Sequence, residues 1–332
     1  MKLLITGGAG YIGTVLLETL LNPDTQEDPK YQFQEDLEIV VIDNLHYQQT
    51  SLVSLLRKKN IQFIYGDVRD KEFVHKWVKW CDVVLPLACI VGMPACNKEK
   101  YNNYQKVNFS HIVDCALWSR EYNKKMVYFC TNSGYGVGDV VDGELAYCTE
   151  ESTLSPLSGY GIWKVNAEVF CLEQAPENVV CFRLATVFGL SPRMRLDLLV
   201  NDFVYKAVTE GSITLFEPHF KRNYVHIKDV VRSFIFAINN FDKMKGETYN
   251  MGLSSANLSK FELCQKIKEQ VPELKTFHIE GKKDIDKRNY IVSNEKLESL
   301  GWEPKYSIED GIEELIKGYE VLTQVRSLWG NV

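Results

Sequence analysis

The chain has 332 residues, 45% of them hydrophobic and 25% charged, and a formal net charge of −6. That length and apolar share allow a full core in one large or two associated domains and exclude a disordered chain. The negative balance argues against a surface built for nucleic acid or anionic lipid, while leaving room for a local basic pocket that takes a phosphorylated small molecule.

The first element is an apolar run of strand length, Leu3-Leu4-Ile5, opening into Gly7, Gly10 and Gly13 spaced G-x-x-G-x-x-G and then into a helix-compatible run from Thr14 to Leu20. Strand, tight turn and helix in that order make a phosphate cradle: glycines let the backbone approach a pyrophosphate, and the helix start offers it N–H groups. A polar, proline-punctuated segment at 22–29 reads as a surface loop. A second buried strand, Glu38 to Asp43, ends in a carboxylate, where a dinucleotide fold meets the adenosine ribose, so Asp43 favours NAD over NADP. The loop insertion sets Asp43 further from Gly13 than the usual spacing of about 20 residues, so strand position carries the assignment.

Strand and helix keep alternating through Ile61–Tyr65, Asp82–Ala88, a helix around 102–120 and a strand at Met126–Cys130. This is the pattern of a parallel doubly wound sheet. The strand at 126–130 stops at the polar stretch Thr131-Asn132-Ser133-Gly134-Tyr135-Gly136, and ligands in open α/β sheets bind at that edge. Tyr160 and Lys164 are four apart on a predicted helix and share its face. The remainder reads as a smaller α/β part with helices at 196–210, 229–240 and 259–270, a short strand at 213–215, and a final helix from a capping-box-like Ser307 to about Gln324.

The nine cysteines, at 81, 89, 96, 115, 130, 148, 171, 181 and 264, include no C-x-x-C pair. They read as reduced thiols of a cytoplasmic protein, and no metal site is expected, Cys89 and Cys96 included. Met1 leads straight into the first strand and no run reaches the roughly 18 apolar residues of a membrane span, so a soluble, unprocessed protein without membrane or nucleic-acid partners is expected.

Taken together, T-G-G-x-G-Y-I-G at 6–13, G-D-x-R-D at 66–70, Leu87-Ala88, Asn108, Thr131 before Tyr135-Gly136, Tyr160-x-x-x-Lys164, Arg183-Leu184-Ala185-Thr186-Val187-Phe188-Gly189 and Lys221-to-Val230 run nearly end to end. In this order they resemble the extended short-chain dehydrogenase/reductase family, specifically its NAD-dependent nucleotide-sugar epimerases and dehydratases. The resemblance implies a Rossmann domain over 1–185, with 226–252 returning to it, and a nucleotide-sugar domain from 186–225 and 253–332. It implies a homodimer paired through the 102–120 helix and the helix that holds Tyr160.

It also implies roles. Gly7, Gly10, Tyr11, Ile12 and Gly13 would hold the NAD pyrophosphate, with Asp43, Asn44, Asp67, Val68, Leu87 and Ala88 along the rest of the cofactor. Tyr160 would take the sugar hydroxyl proton. A free phenol titrates near pH ~10, so a lysine cation four residues on and a charged nicotinamide are needed to favour the phenolate. Lys164 would also bind the nicotinamide ribose, Thr131 would hydrogen-bond the reacting oxygen, and Asn108 would support the proton relay. Arg222 and Arg288 match positions that grip the substrate diphosphate, with Arg193, Arg195 and Asn201 as further candidates. Asn223 and Thr186 depart from the aspartate and asparagine that many members carry there. His226 reads as structural.

Members that eliminate water carry an acid pair or a glutamate just after the Ser/Thr. Asn132 and Ser133 do not titrate usefully, so they are expected to contact substrate and dehydration is disfavoured. A 4-epimerase working through a transient 4-keto intermediate is the expected activity. The runner-up is a nucleotide-sugar 4-dehydrogenase releasing the ketone, GDP-heptose being one candidate substrate because 43–52 and 192–203 are similar to members associated with heptose modification for surface polysaccharides. A non-catalytic NAD-sensing protein is a third reading, against which stand both Tyr160 and Lys164.

Overall fold

The near-continuous apolar runs of the first half become strands covered on both faces, as a parallel sheet requires. The computed structural model describes residues 1–22, 28–33, 36–91, 101–279 and 287–322. Most of the 22–29 loop, the 92–95 stretch with Cys96, Asp286 and the end of the last helix at Gln324 therefore lie outside the described residues.

The strands are β1 Lys2–Thr6, β2 Glu38–Asp43, β3 Ile61–Tyr65, β4 Val83–Pro86, β5 Lys125–Thr131, β6 Val179–Leu184, β7 Thr186–Phe188, β8 Ser212–Leu215, β9 Lys221–His226, β10 Thr248–Met251, β11 Asn257–Ser259 and β12 Lys275–His278. The helices used below are α1 Tyr11–Leu21, α2 Lys71–Trp80, α3 Tyr101–Gln105, α4 His111–Glu121, α5 Gly159–Gln174, α6 Leu199–Thr209, α7 Ile227–Asn239, α8 Lys260–Gln270 and α9 Ile308–Leu322.

Seven strands form one parallel sheet in the order β10-β6-β5-β4-β1-β2-β3. Leu3 pairs with Ile39 on one side and Val83 on the other, so β1 sits where the order of strands reverses. That reversal opens a crevice at the carboxyl ends of β1 and β4, the binding edge of a doubly wound sheet. Alternation along β1 sends Leu3 and Ile5 into the core shared with α1 and α7, and Leu4 into the opposite core with Val74, Ile112 and Cys115 of α2 and α4. The doubly wound α/β architecture is the one the alternating pattern predicts.

The smaller sheet pairs β7 in parallel with β9, and β9 antiparallel with β11; β8 and β12 form a separate parallel pair. Helices α6, α8 and α9 pack against one another beside it. After β9 the chain returns: α7 packs on α1, and β10 joins the large sheet with Asn250 opposite Arg183.

Three details differ from expectation. The motif at 183–189 is not one strand: it divides at Ala185, whose N–H donates to the Met251 carbonyl, so β6 ends in the large sheet and β7 begins the small one. The helix expected over 102–120 is interrupted by a π turn at Lys106–Ser110. And Tyr31, in a 3-10 turn at Pro29–Tyr31, is buried against α7 with its ring 3.8 Å from the Arg232 guanidinium, so the insertion is anchored directly after its polar part.

Candidate active site

The Gly-rich turn is close-packed because it has no side chains. Gly7 adopts φ +71°, and a Cβ there would lie 2.4 Å from the Ala88 backbone nitrogen; one on Gly13 would lie 2.6 Å from the Gly8 backbone. Thus the turn runs against the 87–88 end of β4 and α1 lies against the turn, which is why glycine is required at both places. Gly10 caps α1, with no side-chain cap and no acidic residue in the first turn, leaving that end of the helix suited to an anion. Ile12 is half-buried in that first turn. The Tyr11 side chain leads away from it: its hydroxyl donates to the Gly189 carbonyl at 2.7 Å, and burial pushes the phenol pKa up.

Asp43 ends β2 and locks to the same turn. Its carboxylate accepts from Ala9 N at 3.0 Å, Leu45 N at 2.8 Å and Gln49 Nε2 at 3.3 Å. Burial pushes its pKa up, and the two backbone donors oppose that by favouring the carboxylate. One strand over, Asn44 donates to Asp67 at 3.1 Å, and Asp67 receives both Nε and Nη2 of Arg69. Hydrogen bonding from Arg69 holds the Asp67 carboxyl well below the usual range. Val68, beside it, packs against the core of the α2 face.

Thr131 is the last residue of β5, and α5 packs on that strand. The turn after it is a 3-10 helix, Asn132–Tyr135, capped by Thr131 through Ser133 N. The Thr131 hydroxyl donates to Ser133 Oγ at 3.0 Å, and Arg288 donates to the same oxygen. Asn132 is 1% exposed, and neither polar atom of its amide has a hydrogen-bond partner among the described residues. Ser158 caps α5, which sets Tyr160 in its first turn, partly exposed, with Lys164 one turn further. Lys164 is buried, its ammonium 4.3 Å from the centre of the Tyr128 ring on β5.

Beneath this loop lies a polar network that sequence reading missed. Arg183 on β6 pairs with Glu168 of α5 at 2.6 Å and donates to the Tyr135 hydroxyl at 3.0 Å. Tyr135 lies 2.7 Å from Asn250 Oδ1, and Thr248 donates to Glu168 at 3.2 Å. This cluster joins the 3-10 turn after β5 to β6, β10 and α5. Its signal was present in the order Tyr135, Glu168, Arg183, but nothing local links those positions.

The remaining expected residues have the following partners. The Asn108 amide, in the π turn, clamps the loop after β4 by bonding Ile90 N and Ile90 O at 2.8 Å each. Asn201 is fully buried: Oδ1 accepts from Gly189 N, and Nδ2 donates to Tyr11 Oη and Arg195 O. Arg195 makes a two-bond pair with Asp197, and its charge acts on Tyr160. Arg193 is not with Arg222 and Arg288; its guanidinium lies 5.2 Å from the Tyr47 ring, on the Asp43 side. Arg222 and Arg288 do come together, both acting on Tyr224, with Arg222 5.7 Å from the Tyr290 ring. His226 caps α7 and bonds Glu314 at 2.9 Å.

The model of the NAD dependent epimerase/dehydratase family matches residues 3–252. The chain belongs to that family. Among curated relatives it is 27% identical to the low-salt glycan biosynthesis protein Agl12 of Haloferax volcanii, covering 96% of this chain and 98% of that one. It is 28% identical to mouse dTDP-D-glucose 4,6-dehydratase, covering 96% and 88%. Of solved structures, the UDP-glucuronic acid 4-epimerase of Bacillus cereus, in complex with UDP-glucuronic acid and NAD, superposes with a TM-score of 0.80 at 22% identity over 97% of this chain and all of the other. The dTDP-glucose 4,6-dehydratase DesIV of Streptomyces venezuelae gives 0.79 at 22% over 99% of each.

The family's cofactor, NAD, fits this chain. A turn that a Cβ would fill, a helix end without a side-chain cap and a carboxylate locked to that turn are what a pyrophosphate and an adenosine ribose need. Among the described residues no group of His, Cys, Asp and Glu could hold a metal ion, and no helix is long and apolar enough to cross a membrane.

Proposed function

We propose that the protein is a nucleotide-sugar 4-epimerase that oxidises C4 of its substrate and then reduces the ketone from the other face. The observation that carries this is the composition of the loop after β5: Thr131 is followed by Asn132 and Ser133, with a guanidinium on Ser133 Oγ and no carboxyl among the three. A base on α5 is available for a hydroxyl proton, and that loop holds no acid to release hydroxide. When bound, NAD supplies the hydride acceptor and donor that no side chain can provide.

Gly7, Gly10, Ile12 and Gly13 would hold its pyrophosphate, Asp43 the adenosine ribose, and Lys164 the nicotinamide ribose. Asn44, Asp67, Val68, Leu87 and Ala88 line the ends of β2, β3 and β4 along that path. Tyr160 Oη takes the proton of the C4 hydroxyl as its C–O bond becomes a carbonyl, and returns it when the carbonyl is reduced. Lys164, one turn along, favours the phenolate. The Thr131 hydroxyl bonds the reacting oxygen by rotating from Ser133. Arg222 and Arg288 hold the substrate diphosphate, with Arg195 near Tyr160 on the sugar side; Asn108 and Asn201 act as positioning residues. As to organisation, 1–185 with 226–252 carry the cofactor, and 186–225 with 253–332 the sugar nucleotide.

One observation favours a second reading, net 4-dehydrogenation. Arg288 reaches across to Ser133, so a diphosphate-binding guanidinium is tied to the catalytic loop, which restrains the turning of the ketone that an epimerase needs.

Turnover in D2O tests the proposal. The inverted product is expected without deuterium at C4, because hydride leaves and returns to the same carbon. Deuterium at C5 would mean that a proton is pulled from that carbon, the first requirement of elimination, and would overturn the reading.

A further inference from the structure

Two loops from distant parts of the chain converge on the shoulders of the Gly-rich turn. The loop after β2 is fastened there by Ser51 Oγ, which donates to the Ala9 carbonyl at 3.0 Å, and by Gln49 on Asp43. The turn at 189–198 is fastened by Ser191 Oγ, which donates to the Tyr11 carbonyl at 2.8 Å and pairs with Thr14 Oγ1 at 2.9 Å. The two meet where the guanidinium of Arg193, 7% exposed, faces the half-buried ring of Tyr47 at 5.2 Å.

The conformation around Tyr47 is unusual. Leu45 and Gln48 adopt φ of 50° and 55°, a region that side chains seldom enter, and the loop is kept there by bonds from Leu45 N to Asp43, His46 N to Asn44 and Tyr47 N to Gln49. Arg193 is held in turn by donating to the Met194 carbonyl at 2.6 Å. Both partners are thus fixed before they meet, and they meet on the Asp43 side of the turn, at the adenosine end of the cofactor site.

We propose that Arg193 and Tyr47 form a clasp over the adenosine half of the NAD site, which retains the cofactor through turnover and makes the 189–198 turn part of the cofactor site. The pair rests on the NAD site described above. A guanidinium stacked on a phenol in a partly desolvated place is worth about tenfold in affinity. Because 189–198 leads into α6, cofactor retention becomes linked to the part of the chain that follows β7.

Calorimetric titration of NAD and of ADP-ribose, which keeps the adenosine and the pyrophosphate and lacks the nicotinamide, into the nucleotide-stripped whole chain tests the clasp. Arg193→Ala and Tyr47→Leu should each weaken both ligands about tenfold, and the double variant should be no more than about twofold worse than either single one. Unchanged affinities, additive losses, or a loss confined to nucleoside-diphosphate sugars would overturn it; the last would return Arg193 to the substrate diphosphate. If Arg193→Ala lowers the unfolding temperature, Tyr47→Leu, on an exposed loop, carries the test alone. Failure of the unaltered protein to bind NAD would remove the site itself, and is distinct from failure of the clasp.

Discussion

At the scale of single residues, the proposed chemistry rests on Tyr160. Replacing it with Phe removes one oxygen and leaves the cofactor cradle in place, so turnover should fall by about 10²–10⁴-fold or more while NAD binding survives; loss of both would mean a folding defect. Gly7→Ala acts at the other end. Its φ of +71° and the 2.4 Å approach to Ala88 N leave no space for a methyl group, so the variant should lose about 1–3 kcal/mol of stability along with NAD affinity, read by thermal unfolding and titration.

His111 supplies a pH signature. Buried and bonded to Thr6 Oγ1 at 2.9 Å, it has its pKa pushed down by burial to about 4. Between that value and the unfolded pKa of about 6.5 the unfolded chain binds a proton that the native one does not, so stability falls as pH is lowered through this window and levels off below it. The loss amounts to roughly 3 kcal/mol, and His111→Gln should flatten that part of a urea-stability profile between pH 7 and 4.

Among the elements, the Arg183–Glu168–Tyr135 network holds β6, β10, α5 and the turn after β5 together. Glu168→Gln leaves the Arg183 guanidinium, 7% exposed, without its counter-charge. A cost of about 3–5 kcal/mol is expected in chemical denaturation, with activity falling only as the folded fraction does. Helices α4 and α5 carry a further expectation. Ile162 and Val169 are exposed on α5 at 42% and 44%, beside the ring of Trp163, which lies 5.3 Å from that of Phe109. We expect this face to pair with its copy in a homodimer; a single monomeric species in sedimentation at micromolar concentration contradicts that.

These elements also show what a sequence can reveal. The β1 run, the glycine spacing, Asp43 at a strand end and Tyr160 four residues before Lys164 are local patterns, and local patterns fix local structure. The partners of Asn108, which the family motif singles out, and of the further candidates Asn201 and Arg193 are not local: their side chains go to Ile90, to Tyr11 with Gly189, and to Tyr47. Which partner a polar side chain meets depends on how distant segments stack, and no spacing rule encodes that. The break at Ala185 escaped notice for a related reason: its two flanks are both β-competent, and only the return of β10 ends the first of them.

On the scale of the whole molecule, strand order places the Gly-rich turn, Asp43, Asp67, Leu87 and Thr131 on one edge of the sheet. The carboxyl ends of β1, β2, β3 and β4 carry the cofactor groups, and that of β5 carries Thr131. The segment after β7 then crosses back to touch α1 and the loop after β2, so that part of the chain and the Gly-rich turn are mechanically joined.

The central claim is oxidation at C4 without loss of water. Its most direct test is a mass spectrum and absorbance scan of the purified protein incubated with a panel of nucleotide sugars and no added reductant. A product of unchanged mass with no net NADH is the predicted result. A product two mass units lighter with NADH accumulating would keep C4 oxidation and replace epimerisation by net dehydrogenation. Loss of water would contradict the account, because Asn132 and Ser133 would then have to do what carboxyl groups do.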